Sequence, residues 1–177
     1  MQFKLLGSIV ALAAAISSPS TTSGAAVPAQ TSVSVESTLR MACLVNSARS
    51  LYGLRPLVVS ASLTMVATQH SSFQASKSQM THSDSIYGSL GDRLLRLGSD
   101  FSKVAENIAM GGINEVDKIF RELMGDSAHF NNIMDPKITA MGLGCVNNYW
   151  TQEFSAPMGQ SNIPQNVEVC PKTLTYY

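Results

Sequence analysis

Two apolar, strand-like runs, 138–146 and 149–154, are separated only by Asn147–Asn148. Asparagine tolerates the left-handed backbone of a two-residue turn, so the pair predicts antiparallel strands joined by a tight hairpin. A small antiparallel sheet must bury its apolar surface under other elements, and the preceding residues supply helices. From Glu36, the positions Leu39, Cys43, Leu44, Ala48 and Leu51 recur at three- and four-residue steps, with Gly53 and Pro56 as the exit. Ser60 is placed to cap a second helix carrying Leu63, Val66, Ala67, His70 and Phe73 on one side. A polar, turn-rich stretch, 78–88, precedes a short helix over 90–97, ended by Gly98, and a strand over 104–110, closed by Gly111–Gly112. Asn114 is expected to cap a helix over 115–124 with Val116, Ile119, Phe120 and Leu123 as its buried stripe. A shorter segment, 126–134, stops before Pro136. Helices precede most strands, which predicts α+β layering on a small, mainly antiparallel sheet and argues against a doubly wound parallel one.

The N-terminus constrains location rather than fold. Lys4 precedes an uninterrupted apolar and small-residue run, 5–16, and then a stretch rich in Ser, Thr, Ala and Pro. That is the layout of a secretory signal peptide, and the run is shorter than the roughly 20 residues needed to span a bilayer. The expected organisation is a signal peptide over 1–26, with the cut near Ala26, a linker over 27–35, a domain over 36–156 and a tail over 157–177. No later apolar run is long enough for a transmembrane segment, so the chain reads as secreted and extracellular. Twelve basic residues balance twelve acidic ones, leaving no electrostatic case for nucleic acid. Cys43, Cys145 and Cys170 are too widely spaced for a zinc-finger pattern. An oxidising destination favours a disulfide, and a bond from Cys170 to Cys43 or Cys145 would pin the tail.

Three histidines carry the candidate chemistry. His70 falls on the apolar face of the second helix and reads as a packed residue. His82 and His129 lie in polar segments, where functional groups concentrate. Glu106 sits inside an apolar strand, where a carboxylate needs a partner, and Asp126 closely precedes His129. Ser83 adjoins His82, but no strained Gly-x-Ser-x-Gly turn surrounds it, which argues against a serine nucleophile.

The order of the motifs is more specific than any one of them. The stretches Ala42-Cys43-Leu44-Val45-Asn46-Ser47-Ala48-Arg49 and Gly53-Leu54-Arg55-Pro56-Leu57 come first, then His82 and Ala105-Glu106-Asn107-Ile108-Ala109. Asp126-Ser127-Ala128-His129-Phe130-Asn131-Asn132-Ile133 and Met141-Gly142-Leu143-Gly144 follow, and Tyr149-Trp150-Thr151-Gln152-Glu153-Phe154 closes the series. This succession resembles the CAP superfamily, or SCP domain, of cysteine-rich secretory, antigen 5 and pathogenesis-related 1 proteins, in a bacterial- or fungal-like form. The resemblance implies an α-β-α sandwich with a central groove holding two histidines and two acids. His82, Glu106 and His129 match three of the four. Leu123 stands where the family usually has a tryptophan, which places the shorter Asp126 at the second acid.

The resemblance further implies non-catalytic binding of a small lipid or sterol, with no cofactor required. The neutral, methionine-containing composition suits that reading, although residues 84–103 supply only Tyr87 and Phe101 as aromatics. One alternative is a metal-assisted hydrolase in which His82 and His129 bind zinc or another divalent ion weakly and Glu106 is the general base. Another is a secreted interaction or effector protein that engages a host or cell-wall partner. Asn46 and Arg49 match family positions on the first helix and are candidates for fold-supporting polar contacts.

Overall fold

The computed structural model describes residues 29–98 and 101–157. The expected signal peptide, Cys170 and most of the expected tail lie outside the described residues. Helix α1 (Ala29–Leu51) contains neither Gly nor Pro. It begins inside the segment expected to be a linker, because nothing between residues 29 and 51 breaks a helical backbone. Gly53, at φ +69°, turns the chain out of it. A two-residue strand, β1 (Val58–Val59), leads to α2 (Ala61–Lys77), where the Ser60 side chain accepts from the Leu63 N–H, as expected. Helix α3 (Leu90–Leu95) opens with a reciprocal capping box between Ser89 and Asp92.

The chain continues through β2 (Phe101–Met110), α4 (Val116–Gly125), α5 (Ser127–Ile133), β3 (Ala140–Val146) and β4 (Tyr149–Pro157). Asn114 does not cap α4. Glu115 holds the N-cap position without a side-chain cap bond, because its carboxylate instead accepts from the Gly112 N–H at 2.9 Å and pairs with Lys118.

The sheet order is β1-β3-β4-β2. β3 and β2 each run antiparallel to β4, and only β1 pairs in parallel, with β3. Val146 faces Tyr149 across the hairpin, and Asn147 and Asn148 both take positive φ, +47° and +70°. This is the left-handed pair that the sequence predicts.

Opposite faces of the sheet carry separate cores. α1, α4 and α5 pack Met41, Val45, Ile119, Leu123 and Ile133 on Met141, Leu143, Trp150 and Phe154. α2 and α3 pack Leu63, Val66 and Leu94 against Val104 and Ala140. The result is the α-β-α sandwich. α2 lies so close to β3 that a Cβ on Gly142 would collide with the backbone at Leu63, and one on Gly144 with the backbone at Ala67 and Thr68.

Two α1 side chains fasten the loops of the first layer. Asn46 brackets Leu57, accepting from its N–H at 2.8 Å and donating to its carbonyl at 3.0 Å. The buried Arg49 donates to the carbonyls of Arg55, Ile133 and Asp135 at 2.7–3.0 Å. Burial holds its pKa below the usual arginine value. These are fold-supporting contacts rather than surface ones.

Candidate functional site

Alternation along β2 sends Glu106 to the α2–α3 side of the sheet and Asn107 to the other. β2 is an edge strand, so both helical layers end beside it. His82, in the segment between α2 and α3, reaches this edge: its Nδ1 lies 2.8 Å from Glu106 Oε1. The His82 side chain is 60% exposed, whereas that of Glu106 is 3% exposed. A solvent-facing imidazole thus stands on a buried carboxylate.

Glu106 is itself held from beneath. Arg93 of α3, also buried, donates through one terminal nitrogen to Glu106 Oε2. The same nitrogen lies 3.4 Å from Glu153 Oε1. Glu153 is the residue directly opposite Glu106 in the β2–β4 ladder and is fully buried. One guanidinium therefore serves two adjacent carboxyls. Burial, reinforced by the charge on Glu106, pushes the Glu153 carboxyl well above its ordinary range, against the opposing pull of Arg93.

His70 joins this network from α2. Its Nε2 lies 2.7 Å from the Thr81 carbonyl and 3.7 Å from Glu106 Oε2, and its Nδ1 lies 3.6 Å from Asp84 Oδ2. Asp84 accepts from the N–H groups of Ile86 and Tyr87, folding the segment after His82 into a tight turn.

On the far side of β2, α5 delivers His129. Asn132 donates to Asn107 Oδ1 at 2.8 Å and to the Glu106 carbonyl at 3.3 Å. Asn107 in turn donates to the His129 carbonyl and to Gln152 Oε1. His129 has its own acid, with Nδ1 3.4 Å from Asp126 Oδ1. Asp126 is the N-cap of α5, accepting from the N–H groups of Ala128 and His129. Those bonds, led by the one from His129, hold its carboxyl below the usual range. Leu123, at the family's tryptophan position, is buried in the core.

The four expected residues thus form two pairs, His82–Glu106 and Asp126–His129, tied to neighbouring positions on one edge strand. Sequence reasoning missed Asp84, Arg93 and Glu153, and took His70 only as a packed residue. A signal existed for Glu153, a carboxylate in an apolar strand like Glu106. Arg93, on a two-turn helix, had none.

An imidazole tied through one nitrogen to a carboxylate and open at the other can bind a polar group or ligate a metal. Among the described residues no three or more His, Cys, Asp or Glu side chains are grouped to hold a metal ion. The donor set therefore falls short of the three protein ligands usual for catalytic zinc.

Fold and site together define an α-β-α domain with a histidine–carboxylate pair on the edge of a small mixed sheet. The profile of the cysteine-rich secretory protein family (CAP) matches residues 43–155. The chain belongs to this family. It is 31% identical over 113 residues to the uncharacterized protein YkwD of Bacillus subtilis, covering 63% of this chain and 44% of that protein. The chain thus spans less than half the length of that relative. Among solved structures, an extracellular SCP-domain protein from Bacillus anthracis superposes with a TM-score of 0.68 at 26% identity, over 76% of this chain and 45% of the other. An outer surface protein of Borrelia burgdorferi shares the fold, with a TM-score of 0.60 at 16% identity, over 69% of this chain and 93% of the other.

Proposed function

We propose that this protein is a secreted CAP-domain binding protein that holds a small lipid or sterol, without catalysis, at the groove edge marked by His82, Glu106, Asp126 and His129. The observation that carries this reading is the composition of the segment around His82. The exposed imidazole, anchored on Glu106, lies two residues from Met80 and four from Ile86, which are 48% and 62% exposed. A polar anchor beside uncovered apolar side chains suits an amphiphile, with its head on the histidine and its body on the apolar surface. No cofactor is required. Export rests on the signal-like N-terminus and on the structural neighbour from Bacillus anthracis described as an extracellular protein.

The test is saturable uptake of labelled sterol and of labelled fatty acid by the purified secreted chain, compared with His82→Ala. Uptake that saturates near one ligand per protein and is weakened by the substitution supports the reading. No uptake at micromolar protein defeats it.

A metal-assisted hydrolase using His82 and His129 as ligands is the second reading, favoured by the carboxylate behind His82 Nδ1. It needs Glu106 as a general base, yet both oxygens of that carboxylate are already engaged, by His82 and by Arg93. Metal content near one per chain, with hydrolysis lost in Glu106→Gln, would replace the binding reading.

A further inference from the structure

Two buried side chains outside the four-residue set converge on the main chain that carries His82. From α2, His70 Nε2–H donates to the Thr81 carbonyl at 2.7 Å, since a carbonyl can only accept. From α3, Arg93 donates through its second terminal nitrogen to the His82 carbonyl at 3.2 Å, while its first engages Glu106. Both side chains are nearly inaccessible, at 0% and 2% exposure. Buried polar groups are placed where their partners are, and here the partners are two consecutive carbonyls under one exposed imidazole.

This arrangement determines what His82 offers a ligand. Arg93 carries a permanent charge, and Glu106, buried against it, is the carboxylate of that pair and accepts at both oxygens, including Oε1, 2.8 Å from His82 Nδ1. Nδ1 must then carry the hydrogen, and in the neutral ring Nε2 is left with a lone pair directed away from Glu106. Without the clamp, rotation of the 81–82 main chain would release Nδ1 from the carboxylate and leave both tautomers open.

We infer that Arg93 and His70 are positioning residues which clamp the Thr81–His82 main chain and thereby fix the outward nitrogen of His82 as a hydrogen-bond acceptor, so that the site selects ligands whose polar group is a donor, such as an alcohol. This rests on the binding role proposed above and specifies the head group of the ligand. An ionised carboxylate, which only accepts, finds no partner on a neutral His82 so oriented; a hydroxyl does.

The experiment uses the full secreted chain labelled with 15N-histidine, at pH 8.5, where imidazole is ordinarily neutral. Long-range proton–nitrogen correlation reads the tautomer directly. His82 is expected to show a protonated Nδ1 and a bare Nε2 in the wild type, and to lose that pattern in Arg93→Met. Arg93→Lys, which keeps the charge on a single donor nitrogen, and His70→Gln, whose amide can still reach a carbonyl, should retain it in part. A wild-type His82 protonated at Nε2, or an unchanged pattern in folded Arg93→Met, overturns the clamp. The second arm compares a long-chain alcohol with its methyl ether and with the corresponding carboxylate. Binding of the alcohol at least tenfold tighter than either supports the selection rule, and equal binding overturns it. Failure of all three to bind overturns the ligand assignment and the binding role, while the tautomer spectrum still decides the clamp.

Discussion

Replacing Glu153 with glutamine removes a proton-binding site from the interior while preserving its shape. In the wild type the carboxyl is fully buried, opposite Glu106 and sharing Arg93 with it. Burial first, and the Glu106 charge second, raise its folded pKa well above the unfolded value of about 4.3. A raised carboxyl pKa means that the folded state binds the proton more tightly. The contribution is therefore fully present below the unfolded pKa and drains away as pH rises toward the folded one. Above about pH 5 the unfolded chain has released this proton and the folded chain has kept it. Each further pH unit then costs up to about 1.4 kcal/mol until the folded pKa is passed. Carboxylates whose pKa is lowered, such as Asp117 beside Arg40 and the capping Asp126, act with the opposite sign, and only below about pH 4. They cancel from the difference between wild type and variant. Urea denaturation of both proteins at pH 5, 5.5 and 6 should show Glu153→Gln gaining on the wild type with each step up in pH, by no more than about 1.4 kcal/mol per unit. A difference independent of pH would mean that Glu153 ionises inside the fold, and the account of the buried carboxyl pair would be wrong.

Other substitutions probe the frame that holds the site. Arg49→Met should destabilise by about 3–5 kcal/mol in urea titration, because three main-chain carbonyls lose a buried charged donor; a loss under 1 kcal/mol would show that water replaces it. Gly144→Ala forces α2 off β3 and should cost roughly 1–3 kcal/mol or more, read as a lowered thermal midpoint, whereas a neutral result would contradict the close approach. In the hairpin, Asn148→Val places a β-branched residue at φ +70° and should cost about 1–2 kcal/mol, while Asn148→Gly should be neutral or stabilising. Asp126→Asn keeps an oxygen for the α5 N-cap and removes only the charge beside His129. Stability should change little, and a large loss would make the charge, rather than the cap, its structural role.

Local chemistry accounts for the features legible in the chain. The Ser60 cap, the Gly53 exit, the Asn147–Asn148 turn and the three- and four-residue steps of α2 and α4 are near-neighbour effects, visible within a few residues; on α1 the steps found the helix but not its face, since Leu39 and Leu51 are exposed and Met41 and Val45 carry the core. Motif order added the family and, with it, His82, Glu106 and His129. The places where the reading stopped share a cause. β1 is two residues long and has no period to detect; its strand character exists only through its partner β3. Asn114 is a good capping residue, but the turn from Gly112 to Glu115 placed another side chain at the N-terminus of α4.

Tertiary structure alone decided the support of the site. Arg93 and Glu153 are sixty residues apart, and His70, Asp84 and Glu106 come from a helix, a turn and a strand. None of these residues differs locally from a surface charge or a packed histidine. They acquire a role because α2, α3 and two strands close over one another, excluding water and leaving each buried charge to find its counterpart among the others. A short-range pattern can place a histidine on a loop, but the orientation of its ring follows from carbonyls and carboxylates that only the assembled layers bring into range.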